Sequence, residues 1–240
     1  MNNIKLTIAY NGSEYFGSQI QPDQITIQSV LQNSMKILNI DTKLEFSGRT
    51  DKGVHAFRQV VSCKIPPFWV DLKKLKDKLN RILPNSIVIR SIKKVPQNYH
   101  ARFSTKKREY RYLISPTPTT PFNCNFITYY KDIDIERINS AIKLFIGVHD
   151  FEYFSKKGSE PLSTIREIYD IKFYKHKNIF VLQFKANSYL RSQIRMMVSF
   201  IMDISANKLT LQQLKNQISK KELVSFKLAP PNGLYLSKII

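Results

Sequence analysis

Apolar residues alternate at Ile4, Leu6, Ile8 and Tyr10, the period of a strand with one buried face. In TIQSVLQNSMKIL, Ile27, Val30, Leu31, Ser34 and Leu38 share one side of a helix that Thr26 is suited to cap. A short strand leads into FSGR, and QVVSCKI alternates again at Val61, Cys63 and Ile65. DLKKLKDKLNRIL sets Leu72, Leu75, Leu79 and Ile82 in one stripe opposite lysines, an amphipathic helix, and SIVIRSIKKV follows as a strand. The second half repeats the order. KREYRYLI reads as a strand, and DIERINSAIKLFIG as a helix capped by Asp134 and stopped by Gly147. REIYDIKFYK and NIFVLQFKA read as a hairpin around His176, Lys177 and Asn178. SYLRSQIRMMVSFIMDIS predicts one long helix with Ile194, Met197, Val198 and Ile201 inward; a short helix is expected near 210–219, and LYLSKII closes as a strand.

Each half therefore reads β-α-β-β-α-β. This predicts an α/β (α+β) protein of two ferredoxin-like halves, residues 1–103 and 104–240, sharing one mostly antiparallel sheet with helices on one face. A cleft between similar halves is where a substrate would lie.

Composition narrows the partner. The 240 residues carry 38 Lys and Arg against 18 Asp and Glu, a net charge of +20. With 42% hydrophobic residues the chain has enough apolar side chains for a core, so the excess charge belongs to a folded surface that wants a polyanion. Nucleic acid is the first candidate and anionic membrane the second. Against membrane, the most apolar run, MMVSFIM at 196–202, is too short to span a bilayer. MNNIKLTIAY has no apolar core of a signal peptide, and two cysteines, Cys63 and Cys124, make no disulfide framework, so a cytoplasmic location is expected. Cysteines and histidines nowhere take ligand spacing, so no metal is expected; neither GxxxxGK[ST] nor GxGxxG occurs, so no cofactor is expected.

The glycines point to one loop. Five of the seven fall in YNGSEYFGSQ, in FSGRTDKGVHA and before LYL. Gly48 and Gly53 bracket Asp51, which is set beside Arg49, Lys52 and His55. Asp51 has three readings: an Asx-turn residue, half of an ion pair with Arg49, or a nucleophile or base. A guanidinium nearby favours the ionised carboxylate, which suits attack or stabilisation of a cation and suits proton donation poorly. No second carboxylate lies near enough in sequence to make a glycosidase-like pair, and no Ser-His or Cys-His spacing suggests a triad. In YHARFSTKKREYRYLI, Arg102, Lys106, Lys107, Arg108 and Arg111 interleave with Tyr99, Phe103, Tyr110 and Tyr112. Cations hold phosphates and aromatics stack on unpaired bases. On a strand Tyr110 and Tyr112 share a face, Tyr112 being read as core and Tyr110 as functional. Arg191 and Arg195, four apart on the expected long helix, would share a face, to bind phosphate or to partner a buried carboxylate.

FSGRTDKGVHA resembles the signature of the tRNA pseudouridine synthase A family, in which G-R-T-D-x-G-V-H surrounds the catalytic aspartate. YNGSEYFGSQ, YHARFS, KREYRY, NSYLRSQIR and GLYL follow in the family's order, so the resemblance spans nearly the whole chain. It implies the pseudouridine synthase fold and a cofactor-free isomerase that converts uridine to pseudouridine at positions 38, 39 and 40 of the tRNA anticodon arm. It implies Asp51 as nucleophile and Arg49 as a holder of the flipped nucleotide. Tyr110 would pack on the target base, Arg195 pair with Asp51, and Leu234 pack against the base. Arg191 and His55 are carried as further substrate-binding candidates. It also implies a homodimer, each RNA arm contacting both subunits. Three positions depart from the pattern: Ser18 stands where an aromatic residue is usual, and Ser192 and Gln193 replace the usual His and Met. Two other classes compete: a non-catalytic RNA-binding or chaperone module, and a DNA-binding protein, which should show base-reading side chains along one helix face; the 71–82 helix has only Asn80 and Arg81.

Overall fold

The structure, a computed structural model, describes residues 1–158 and 161–240. It is a mixed α/β protein with, among the described residues, ten strands and five α-helices. In chain order these are β1 (Asn2–Tyr10), α1 (Ile27–Ile37), β2 (Glu45–Phe46), β3 (His55–Ile65), α2 (Leu72–Ile82) and β4 (Ile87–Lys94). Then come β5 (Arg108–Ser115), β6 (Thr128–Tyr129), α3 (Ile135–Leu144), β7 (Gly147–Asp150), β8 (Ile165–His176) and β9 (Ile179–Ala186). The chain ends with α4 (Gln193–Ser205), α5 (Leu211–Ile218) and β10 (Leu234–Ile239). It divides into two compact units, Met1–Lys106 with Tyr235–Ile240, and Lys107–Leu234.

In the first unit β1 is central, antiparallel to β3 on one side and β4 on the other. The far edge of β3 is shared. β2 pairs antiparallel at Glu45–Ser62 and Phe46–Val61, while β10 pairs parallel at Tyr235–His55 and Leu236–Ala56. The order β4-β1-β3-β2 is that of a ferredoxin-like sheet. Ile4, Leu6 and Ile8 of β1 are fully buried, as are Leu31 and Met35 of α1 and Leu75 and Leu79 of α2. Each such side chain contributes about 1.5–3 kcal/mol on burial, which ties both helices to this unit's core. Thr26 caps α1 in a reciprocal box with Ser29, and Asp71 caps α2 by accepting from the Lys74 N–H.

In the second unit the order is β5-β9-β8-β7, all antiparallel, with β6 alongside β5 in parallel. β8 and β9 form the expected hairpin, closed by Lys177 and Asn178, with Lys177 at φ +52. Asp134 caps α3. Phe145, Phe151 and Phe154 are wholly enclosed, and Phe154 meets Phe200 of α4. Nearly every side of α4 is buried, including Met196, Met197, Val198, Phe200, Ile201 and Met202. One expectation is corrected. The apolar pattern predicts a helix from residue 188, but α4 begins only at Gln193. Ser192 adopts φ +58, a left-handed conformation that breaks the helical path, and the Gln193 Oε1 accepts the Leu190 N–H at 2.8 Å.

Candidate active site

Asp51 opens a four-residue turn in the first unit. The Val54 N–H donates to the Asp51 carbonyl at 3.1 Å, and Gly53, third in the turn, takes φ +78. That conformation is open to glycine at no steric cost, which explains the second glycine of the bracket. Asp51 is half-buried and Arg49 is exposed.

The turn is clamped by residues more than thirty positions away. The Ser18 N–H donates to the Thr50 carbonyl at 3.1 Å, and the Thr50 N–H donates back to the Ser18 Oγ at 2.9 Å. The Gly53 N–H donates to the Tyr15 carbonyl at 3.3 Å. The Tyr10 and Thr50 hydroxyls lie 2.9 Å apart. Gly17 sits at φ +92, and a Cβ there would stand 2.6 Å from the Thr50 carbonyl oxygen. A Cβ on Gly12 would overlap the Val54 carbonyl. Glycines at 12 and 17 thus let one loop lie directly against the turn that carries Asp51.

His55 follows that turn and is almost wholly enclosed. Its Nδ1 accepts the Gly12 N–H at 3.0 Å, so Nδ1 carries no proton in this arrangement. Its ring stacks on Tyr235 at 4.6 Å, and Tyr235 stacks in turn on Phe57 at 4.7 Å. The visible work of His55 is to support the clamp. Gln59, buried within the apolar part of β3, accepts from the Ser47 hydroxyl at 2.8 Å and donates to the Gly48 carbonyl at 2.7 Å. It fastens the near side of the loop.

Sequence reasoning missed both Gln59 and the role of Ser18. The one signal for Gln59 is an amide directly before the apolar pair Val60 and Val61 of a strand. Ser18 was noted only as a departure, yet it is fully buried and supplies the acceptor for Thr50.

In the second unit Tyr110 and Tyr112 point to the same buried face of β5, as period two requires. Tyr112 is a core residue with a tethered hydroxyl, whose one proton faces both the Thr128 Oγ1 and the Pro230 carbonyl, each at 2.9 Å. Burial pushes its phenol well above the ordinary tyrosine value. Tyr110 meets Tyr189 edge-on at 5.3 Å. The Tyr189 hydroxyl is buried with no hydrogen-bond partner among the described residues, and burial raises its pKa strongly.

Arg195, half-buried on the first turn of α4, donates from Nε to the Ala229 carbonyl at 2.8 Å, while the Ala229 N–H donates to the Arg195 carbonyl at 3.0 Å. This two-way bond fixes the segment that leads to Leu234, itself buried. Gly233 is required there, because a Cβ would stand 2.7 Å from the Thr128 Oγ1. Arg191 corrects a second expectation. It lies in the turn before α4, exposed, with Nη1 donating to the carbonyls of Lys157 and Gly158, so it shares no helix face with Arg195.

Among the described residues no group of three or more His, Cys, Asp or Glu is arranged to hold a metal ion. Cys63 is buried and its thiol is pushed up to about 12, which leaves it protonated and unsuited to nucleophilic attack.

A family model described as tRNA pseudouridine synthase matches residues 6–104 and 141–240. The first stretch contains the Asp51 turn and its clamp; the second contains Arg191, Arg195 and Leu234; Tyr110 lies between them. The tRNA pseudouridine synthase A of Campylobacter jejuni subsp. jejuni (strain 81-176) is 37% identical over 239 residues, covering 100% of this chain and 99% of that one. That of Wolinella succinogenes is 38% identical over 239 residues, covering 100% and 94%. That of Thermoanaerobacter pseudethanolicus is 34% identical over 246 residues, covering 100% of both.

Proposed function

The chain belongs to the tRNA pseudouridine synthase A family, and from that premise we propose that it isomerises uridine to pseudouridine at positions 38, 39 and 40 of the tRNA anticodon arm, with Asp51 as nucleophile. The observation that carries this reading is the clamp. Two glycines, a buried serine and a buried histidine are committed to holding one half-buried aspartate on a tight turn. A solvent-facing loop carboxylate would need none of them.

The chemistry asks for such a group. The target base must leave the stem, at a cost of a few kcal/mol, before its glycosidic bond is reachable. The Asp51 oxygen then engages the extruded nucleotide. The bond from ribose C1′ to uracil N1 breaks, the uracil turns, and C5 bonds to C1′. C5 gives up its proton and N1 gains one, so the product is an isomer and no redox partner or energy source enters. In this reading Arg49, exposed beside the turn, holds the flipped nucleotide. Tyr110 packs on the base and assists its proton transfer, and Leu234 packs against the base. Arg195 contributes positive charge to the reacting complex, Arg191 meets phosphate, and His55 serves through the turn it supports. The excess of cations offsets the cost of extrusion by drawing in the phosphate backbone.

The same reading makes the working enzyme a homodimer in the cytoplasm, where it meets its tRNA. No helix among the described residues is long and apolar enough to cross a membrane. The test is positional. Unmodified tRNA transcripts incubated with the protein and mapped by carbodiimide labelling are expected to show new pseudouridine at 38, 39 or 40. Product confined to other positions, or tRNA bound with no product, would overturn it.

A further inference from the structure

The first unit has a sheet face that the catalytic reading does not use. β1, β3, β4 and β10 together hold seven Lys or Arg residues and no Asp or Glu. β2 is the one strand of this sheet with a carboxylate, and its Glu45 is taken by Lys43 at 2.8 Å and His100 at 3.5 Å. One face of β1 is apolar and buried; Lys5 and Thr7 lie on the other. There, an open hollow is lined by Lys5, Thr7, Arg58, Arg90, Ser91 and Lys238, residues of four adjacent strands, with no carboxylate in its wall. Arg58, Arg90 and Lys238 are exposed.

The backbone builds this face. The pairing of β1 with β4 shifts between Thr7–Ser91 and Ile8–Ile89, which leaves Arg90 as an extra residue. From that bulge its Nη1 reaches across β1 to donate to the Phe57 carbonyl on β3 at 3.2 Å. The parallel register of Tyr235 with His55 and Leu236 with Ala56 carries Lys238 to the level of Arg58. Lys5 stands opposite Ser62, four residues beyond Arg58, and so about 13 Å along β3 at roughly 3.3 Å per residue. Like charges gathered on one face repel one another and cost stability unless a polyanion meets them.

We propose that this face is a second RNA-contact surface, which holds the sugar-phosphate backbone of the tRNA outside the anticodon arm. It rests on the assignment of tRNA as substrate. The span from Arg58 to Lys5 is too long for the reacting nucleotide and suits a run of backbone. Its polar side chains are cations and small hydroxyls, beside the apolar Val60 and Ile239, and no aromatic residue lines the hollow to stack on bases, so the surface grips phosphate and reads no sequence.

The test uses the full chain carrying Lys5→Gln, Arg58→Gln and Lys238→Gln together, which leaves the bond from Arg90 to Phe57 in place. Filter binding is measured across a salt series with whole tRNA and with an isolated anticodon stem-loop. The variant is expected to bind whole tRNA roughly tenfold or more weakly, with the slope of log K against log salt reduced by about 2–3. Stem-loop affinity and the conversion rate at saturating tRNA should be unchanged. Lys238→Gln alone should reduce the magnitude of the slope by about 0.7–0.9, which keeps the test alive should the triple variant fold poorly.

A control, Lys73→Gln with Lys74→Gln and Lys78→Gln on α2, removes equal charge elsewhere and should bind as wild type. Unchanged affinity and slope in the triple variant would overturn the proposal. So would an equal loss in the α2 control or an equal loss on the stem-loop. Loss of tRNA binding in the triple variant, together with a wild type that forms no pseudouridine, would leave this surface standing and remove the catalytic reading instead.

Discussion

The turn that carries Asp51 and the helix start that carries Arg195 are held in opposite ways. Asp51 is fixed from outside its own segment, by a loop that glycine allows to lie against it and by the Ser18 hydroxyl. Arg195 is fixed by its own functional group, because its guanidinium is spent in part on the Ala229 carbonyl. In the first arrangement the bonds that hold the turn run through main-chain groups and the Ser18 hydroxyl. The second gives the arginine a structural duty. Substitution at Asp51 should therefore separate activity from folding, whereas substitution at Arg195 should disturb both.

Closing the space that glycine leaves should break this contrast most severely. Gly17→Ala adds a Cβ 2.6 Å from the Thr50 carbonyl at a φ of +92. Backbone strain and overlap together are expected to cost about 2–5 kcal/mol. A displacement of Thr50 and Asp51 by about 1 Å would lower turnover on the order of 100-fold. Urea denaturation and single-turnover assays on the same preparation read both effects. A stable Gly17→Ala protein with full activity would show that the clamp does not position the turn.

A smaller effect is expected from Ser18→Ala. It leaves the buried Thr50 N–H without its side-chain acceptor, at a cost of about 1–3 kcal/mol. Ser18→Thr, which restores a hydroxyl, should recover part of any loss in turnover where Ser18→Ala does not. Recovery of neither stability nor rate would mean that Ser18 serves only to fill space.

The smallest effect is electrostatic and appears only in alkali. Burial pushes the Tyr10 phenol up to about 12, against the opposing pull of its hydrogen bonds with Thr50 and Gln59. Below about pH 10 the phenol is neutral folded and unfolded, and its contribution to stability is fully present. Above that, the unfolded chain gives up its proton first, so stability falls by about 1.4 kcal/mol per pH unit until the folded phenol titrates near 12. Tyr10→Phe should reduce the slope by about 1.4 kcal/mol per pH unit in denaturation curves taken between about pH 10 and 11.5, the buried phenols of Tyr112 and Tyr189 keeping the rest. An unchanged slope would show that the phenol next to Thr50 is not the group responsible.

The same contrast explains what could be read from the sequence. Backbone constraints that only glycine satisfies leave a visible mark, so YNGSEYFGSQ and FSGRTDKGVHA stood out before any coordinates. β1, α1, α2 and the hairpin of β8 and β9 were equally legible, because one face of each is buried and period follows burial. The start of α4 was not. Tyr189 and Leu190 continue the apolar rhythm of the helix, while the break depends on Ser192 turning left-handed and on the Gln193 side chain binding Leu190. That is a local hydrogen bond which periodicity does not register, and it is why Arg191 and Arg195 were set on one face. Serine and glutamine are common polar residues, so the buried duties of Ser18 and Gln59 were hidden. The parallel pairing of Tyr235 with His55 joins residues 180 positions apart, and nothing in either segment names its partner.

In the proposed function the clamp presents Asp51 for chemistry. The most direct measurement is release of tritium from tRNA labelled at uridine C5, with wild type and Asp51→Ala compared under single-turnover conditions and their thermal unfolding recorded alongside. The account predicts that Asp51→Ala stays folded, within about 1–2 kcal/mol of wild type, since the Val54 N–H bonds the main-chain carbonyl of residue 51. It predicts a fall in tritium release of at least about 10³-fold. A folded Asp51→Ala protein that releases tritium near the wild-type rate would contradict it.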